Sequence, residues 1–291
     1  MKEKIEILPV TLLDQNRPTV NQLKHLARPL GLDFGWHYLL DLTWIIQHLG
    51  NVKGKRIVDA GAGTGVLQWY LAEQGAEVFS VDRMSRELLP LRFRLHYRAR
   101  GLRKSDLAPY LKVMRSNLSN PARFRAQLRD LSSLALLHRS AGSVRVYHQD
   151  LKELADIPAD SIDAVVAVSA LEHNTPAGLE QVVAELMRVL KPGGVLLATL
   201  GAAQDQDWFH EPSQGWCYSN DSLRRIFGLS ATAPSNYDQY DELMLALQNC
   251  AELRDNLAGF YFKSADNGMP WGKWDPQYQS VGVLKTKPAE I

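Results

Sequence analysis

After residue 50 the chain alternates between two hydrophobic periods. Short apolar runs of strand length, Arg56–Ala60, Glu77–Val81, Ser161–Val168 and Val195–Leu200, are separated by segments in which apolar residues recur every three or four positions. Two further strand-like runs, Gly259–Phe262 and Gln279–Lys285, follow a helical pattern from Asp238 to Ala258. Upstream, Thr19–Leu26 has helical spacing, and Gly35–Ile46 is a strongly apolar helical stretch that ends at Gly50. Pro9, Pro18 and Pro29 divide the leader into short segments. The pattern predicts an N-terminal helical cap over residues 1–52 and an α/β domain over residues 53–291.

The junction at Arg56–Gly65 is the most telling. Ile57 and Val58 are β-branched strand residues, and Gly61, Gly63 and Gly65 then remove side chains where the backbone must turn and approach a ligand. Asp59 ends the strand with a carboxylate. The next strand stops at Asp82, where an acid can accept hydrogen bonds from ribose hydroxyls. A dinucleotide fingerprint G-x-G-x-x-G would need glycine at position 66, which is Val66, so the spacing weakens a nicotinamide cofactor.

As it stands, Asp59-Ala60-Gly61-Ala62-Gly63-Thr64-Gly65 resembles motif I of the class I S-adenosylmethionine (SAM) dependent methyltransferases, roughly D-x-G-x-G-x-G after a hydrophobic strand. Tyr147–Leu151 resembles the family's segment after the third strand, Ser169–His173 the end of the fourth, and Leu190–Gly194 the turn into the fifth. The resemblance covers about residues 53–84 and 143–203. It implies a doubly wound, seven-stranded Rossmann-like sheet of order 3-2-1-4-5-7-6, closed by an antiparallel hairpin. It also implies SAM as cofactor, S-adenosylhomocysteine as product and no metal. Asp59, Gly61, Ala62, Gly63 and Gly65 would underlie the methionine and ribose. Asp82, with Arg83 beside it, would meet the ribose, Asp150 and Leu151 the adenine, and Ser169 would stand at the carboxyl end of strand four.

Charge adds an insertion to this picture. The net charge is +1, yet Arg83–Arg145 holds 15 Lys or Arg against 3 acids. The block falls between the second and third strands, where one helix would suffice, and reads as a mostly helical insertion over about residues 86–142; Leu107, Tyr110, Leu111, Met114 and Leu118 share one helical face. A solvated subdomain is the plain reading. The sharper ones are a phosphate-bearing acceptor gripped by Arg92, Arg94, Arg98, Arg100 and Arg103, peripheral contact with an anionic bilayer, and, ranked below these, nucleic acid. No membrane-span-length apolar run and no signal-peptide core occur, which makes the cytoplasm the default; a homodimer is left open. The 2 cysteines, Cys217 and Cys250, suggest neither zinc nor a disulfide framework.

Methyl transfer is an in-line displacement, so the protein aligns nucleophile and methyl and removes a proton where the acceptor requires it. His173, after strand four, is the first candidate base, with His210 second and His37 third. Glu172, Trp36, His37, Trp216 and Trp271 are candidates for substrate contact, the last in a long Lys263–Tyr278 connection that could serve as a lid. There is no Asn/Asp-Pro-Pro-Tyr/Phe segment and no Pro-Cys nucleophile, which disfavours base methylation of DNA. The expectation is methyl transfer to a hydroxyl or amine of a small or glycan-type molecule. An RNA-directed methyltransferase and a non-catalytic SAM-fold module are the alternatives.

Overall fold

The computed structural model describes residues 2–118, 125, 140–255 and 273–289. Its centre is a mixed sheet. Four parallel strands, β2 (Arg56–Ala60), β3 (Glu77–Asp82), β5 (Ser143–His148) and β6 (Ile162–Val168), are joined by the parallel β7 (Leu190–Ala202) and by the antiparallel β10 (Gln279–Thr286). Helices cover both faces, which is why these strands read as continuous apolar runs: Ile57, Val78, Val144 and Val166 enter one core, and Val58, Phe79, Val165 and Leu196 the other. The first face is packed by α2 (Arg17–Leu30), α3 (Tyr38–Leu49) and α4 (Leu67–Glu73), and the second by α7 (Pro176–Val189) and α8 (Asn220–Phe227).

The full strand path is β1-β10-β7-β6-β2-β3-β5-β4, which departs from the expected order at both edges. One edge is β1 (Glu3–Ile7), antiparallel to β10 with Ile5 opposite Val283. It takes the place beyond the last strand that the expected order gives to the sixth, and it lies inside the segment expected to be a helical cap. The reason is a short period-2 pattern: Ile5 and Ile7 are fully buried, while Glu3, Lys4 and Glu6 stay at the surface and blunt the edge. The expected strand at Gly259–Phe262 lies outside the described residues. The other edge is β4 (Arg100–Gly101), a two-residue strand contributed by the insertion and parallel to β5.

The insertion also supplies α5 (Leu91–His96) and α6 (Tyr110–Leu118). Of the residues read as one helical face, Leu107 is buried, whereas Tyr110, Leu111 and Met114 are exposed and Val113 is the buried residue of α6. Residues 119–124 and 126–139 lie outside the described set, as does most of the expected lid, including Trp271. Helix ends follow their local chemistry. Ser219 caps α8 by accepting from the Ser222 N–H, and Gly228 ends it in the left-handed region. No helix among the described residues is long and apolar enough to cross a membrane.

Candidate functional site

A cleft of about 540 Å³ opens at the carboxyl ends of the parallel strands, where β2 and β6 part. Its floor is the loop after β2. Gly61 has φ 74°, and a Cβ there would collide with the Ala170 side chain at the end of β6; Gly63 has φ 47°. The glycines are thus needed both for the turn and for the close approach of two strand ends. The loop is tied down by the Gly61 and Ala62 N–H groups, which donate to Val81 O at 2.9 and 3.0 Å, and by the Gly63 N–H, which donates to Asp82 Oδ2 at 2.7 Å. Asp82 Oδ1 accepts from the Met84 N–H at 2.6 Å, which leaves further lone pairs on both oxygens facing the cleft.

Beneath the loop sits a buried polar plug that sequence reasoning missed. Gln68 on α4 donates to the carbonyls of Ala62, Gly63 and Gly65 at 3.1–3.4 Å, and its own carbonyl accepts from Ser80 Oγ at 2.6 Å. Arg86 reaches in from the basic block to Ser80 Oγ, to Gly63 O at 3.3 Å and to Ser80 O at 2.7 Å. The available signals were a serine inside an apolar strand and a glutamine inside an apolar helix. Asp59, buried at the end of β2, has its carboxyl pushed up to about 7 by desolvation, with Arg86 opposing and Asp82 reinforcing the shift.

The remaining cofactor candidates also border the cleft. Arg83 spans its mouth toward Asp150 at 3.8 Å, Asp150 and Leu151 follow β5, and Ser169 stands at the end of β6. The two candidate catalytic histidines separate. His173 lines the cleft, and its Nδ1 donates to Gln214 O at 2.9 Å, so Nε2 keeps its lone pair. His210 is buried outside the cleft lining, bonded to Ser213 Oγ at 2.7 Å and packed on Tyr278, and burial lowers its pKa.

The aromatic candidates behave as core. Trp36 and His37 are buried against each other and Tyr278, and His37 Nδ1 meets Asp41 Oδ2 at 2.6 Å, while Trp216 packs on Phe209. None of the three lines the cleft; the next residue, Tyr38, does, together with Phe34. Glu172 lies just behind the wall, accepting from Ser169 Oγ.

The arginines expected to grip a phosphate are not at the cleft. Arg92 donates to Leu30 O, Arg94 to Ala108 O, Arg98 to the carbonyls of residues 140–142, and Arg103 to Asp156 and Tyr147. Arg98 and Arg100 border a separate depression of about 390 Å³ near the opposite, amino ends of β3 and β5.

Residues 112–198, which run from the insertion through β5 and β6 into β7, match the family model described as a methyltransferase domain. Over that stretch the chain is similar to SAM-dependent methyltransferases. Among curated proteins, the ubiquinone biosynthesis O-methyltransferase of Alkalilimnicola ehrlichii is 29% identical to this chain over 165 residues, 55% of this chain and 48% of that protein. The tRNA U34 carboxymethyltransferase of Psychrobacter arcticus is 42% identical over 53 residues, 18% of this chain and 15% of that protein. The chain therefore spans about half, or less, of the length of these relatives. Among solved structures, phosphoethanolamine N-methyltransferase 2 of Haemonchus contortus, in complex with phosphomonomethylethanolamine and S-adenosylhomocysteine, aligns with a TM-score of 0.49 at 15% identity, covering 95% of this chain and 60% of that one.

Proposed function

We propose that this chain binds SAM in the β2–β6 cleft and transfers its methyl group to a hydroxyl or amine of a small molecule. The observation that carries the reading is the fit of the cleft to that cofactor. The glycine loop forms a cradle that side chains would fill, Asp82 offers spare carboxylate lone pairs one strand away, and Asp150 stands across the opening. Gly61, Ala62, Gly63 and Gly65 would hold the methionine and ribose, Asp82 the ribose hydroxyls, and Asp150 with Leu151 the adenine. Bound SAM supplies a methyl group activated by a cationic sulfur.

The protein's own contribution is alignment and proton removal. An acceptor entering between Phe34 and the end of β6 meets Tyr38, Ser169 and His173, with Asp33 and Asn174 beside them, among the polar side chains able to orient a nucleophile there. His173, with its open Nε2, is the imidazole available at that wall. The engagement of Arg92, Arg94, Arg98 and Arg103 within the protein favours recognition through the nucleophile over recognition through a phosphate handle.

Titration calorimetry with S-adenosylhomocysteine tests the reading. Micromolar affinity, lost on closing the cradle by Gly63→Val, is the expected result. Absence of binding to folded protein would overturn it.

A further inference from the structure

Glu172 is a buried carboxylate without the partners such a group ordinarily has. It sits in the 3-10 turn Leu171–His173 at 6% exposure; Oε1 accepts from Ser169 Oγ, and Oε2 has no hydrogen-bond partner. Among the described residues no lysine or arginine acts on it, and the charges that do are those of His173 and His37. A carboxylate kept only for structure is normally ion-paired or has both oxygens satisfied.

The residue that connects it to the cleft is strained. Ser169 has φ 44°, a left-handed conformation that costs a non-glycine residue about 1–3 kcal/mol, and its N–H is pinned on Thr199 O and Oγ1 at 3.1 and 3.2 Å. That conformation sets Ser169 in the cleft wall beside Tyr38, whose hydroxyl meets the serine side chain. Because the serine proton points at Glu172 and the Tyr38 hydroxyl takes one lone pair, the serine oxygen keeps one further lone pair to accept a hydrogen bond from whatever occupies the cleft.

Resting on the methyl-transfer reading, we infer that Ser169 and Glu172 form a proton-accepting pair for a hydroxyl acceptor. Ser169 Oγ takes the acceptor's proton while passing its own to Glu172 Oε1. The acceptor's O–H bond breaks and its electron pair makes the new O–C bond, while the old carbon–sulfur pair stays with sulfur. Ser169 ends unchanged and Glu172 ends as a neutral carboxylic acid. His173, exposed and adjacent, returns the proton to water. Burial favours the neutral carboxyl, opposed by His173 and His37; Tyr38, Cys217, Tyr218 and Tyr278 face the same carboxylate from α3, the short strand Gly215–Tyr218 and the approach to β10.

Infrared titration of the protein loaded with S-adenosylhomocysteine is the test. Wild type should show a protonated-carboxyl band, absent in Glu172→Gln, that titrates above the ordinary carboxylate range. Ser169→Ala should move its midpoint up by about one pH unit, because the carboxylate loses its one side-chain donor. A carboxylate that stays ionised down to the ordinary range, or a midpoint indifferent to Ser169→Ala, would overturn the pair. With catechol as the probe acceptor, Glu172→Gln should lower kcat roughly 100-fold or more with little change in KM, Glu172→Asp should restore part of it, and His173→Ala should cost less than about tenfold. The reverse ranking would make the imidazole the direct base. Calorimetry on the same wild-type sample keeps the readings apart: failure to bind S-adenosylhomocysteine sinks the methyl-transfer reading, whereas binding with an indifferent band sinks only the pair.

Discussion

Around the glycine loop, Gln68, Asp82 and Arg86 place most of their hydrogen bonds on Ser80 and on backbone groups of the same neighbourhood, Arg86 Nε and the outer lone pairs of Asp82 excepted, whereas at the end of β6, Glu172 keeps an unused buried oxygen and His173 an unused nitrogen. The first region is preformed: its polar groups shape a surface and hold it rigid. The second holds polar valence in reserve, which costs stability and is worth keeping only where a ligand completes it. One cleft thus joins a wall whose polar groups are tied to one another and a wall that leaves polar groups open.

The strongest way to break the contrast is through the cradle. Gly61→Ala adds a Cβ at φ 74° into the Ala170 side chain, and is expected to cost about 2–4 kcal/mol in urea unfolding and to abolish S-adenosylhomocysteine binding. Arg86→Ala should cost about 3 kcal/mol, because a buried guanidinium between Asp59 and Asp82 is lost while both acids remain. A variant as stable as wild type would mean that the plug is not what holds the loop.

Asp59 sharpens the comparison through pH. Its folded pKa of about 7 lies above the ordinary value, so between roughly pH 4 and 7 the native state binds more protons than the unfolded one, and stability falls as pH rises through that window. Asp59→Asn should remove this slope, leaving stability near wild type below the window and raising it by about 4 kcal/mol above pH 7, since each of the roughly 3 pH units between the ordinary and folded values is worth about 1.36 kcal/mol. Unfolding midpoints that run parallel across the window would contradict it. Asp82→Ala should weaken S-adenosylhomocysteine binding about 10- to 100-fold with a smaller loss of stability, as expected for charge-assisted hydrogen bonds to a ligand. The smallest effect separates the two histidines: His210→Ala should cost about 1 kcal/mol of stability and leave cofactor affinity within about twofold, since that ring packs on Tyr278 away from the cleft. A large affinity loss would return His210 to the site.

How legible each region was follows the same division. The run from Arg56 to Gly65, the acid ending β3, and the cap and stop of α8 could all be read because each depends on residues adjacent in the chain. Edge strand β1 was also written locally, in the alternation of Glu3–Ile7, but the pattern is short and its partner lies some 280 residues away, Glu3 facing Lys285. The aromatic stripe Trp36–Tyr38 shows the limit: periodicity placed all three on one helix start, yet only Tyr38 borders the cleft, because Tyr278 and Asp41 claim its neighbours. Likewise the arginines of the basic block announced their charge but not that carbonyls and an aspartate of the same chain would absorb it.

By itself the sequence determined a strand, a left-handed glycine turn and a helix, hence a cradle for a cofactor, because backbone sterics act between near neighbours and need no knowledge of the fold. Only the tertiary structure decided which side chains stand at that cradle. Ser169 meets Tyr38 and Glu172, and Asp41 meets Ser280 across 239 residues, through strand order and helix packing, which bring together groups that no local pattern relates.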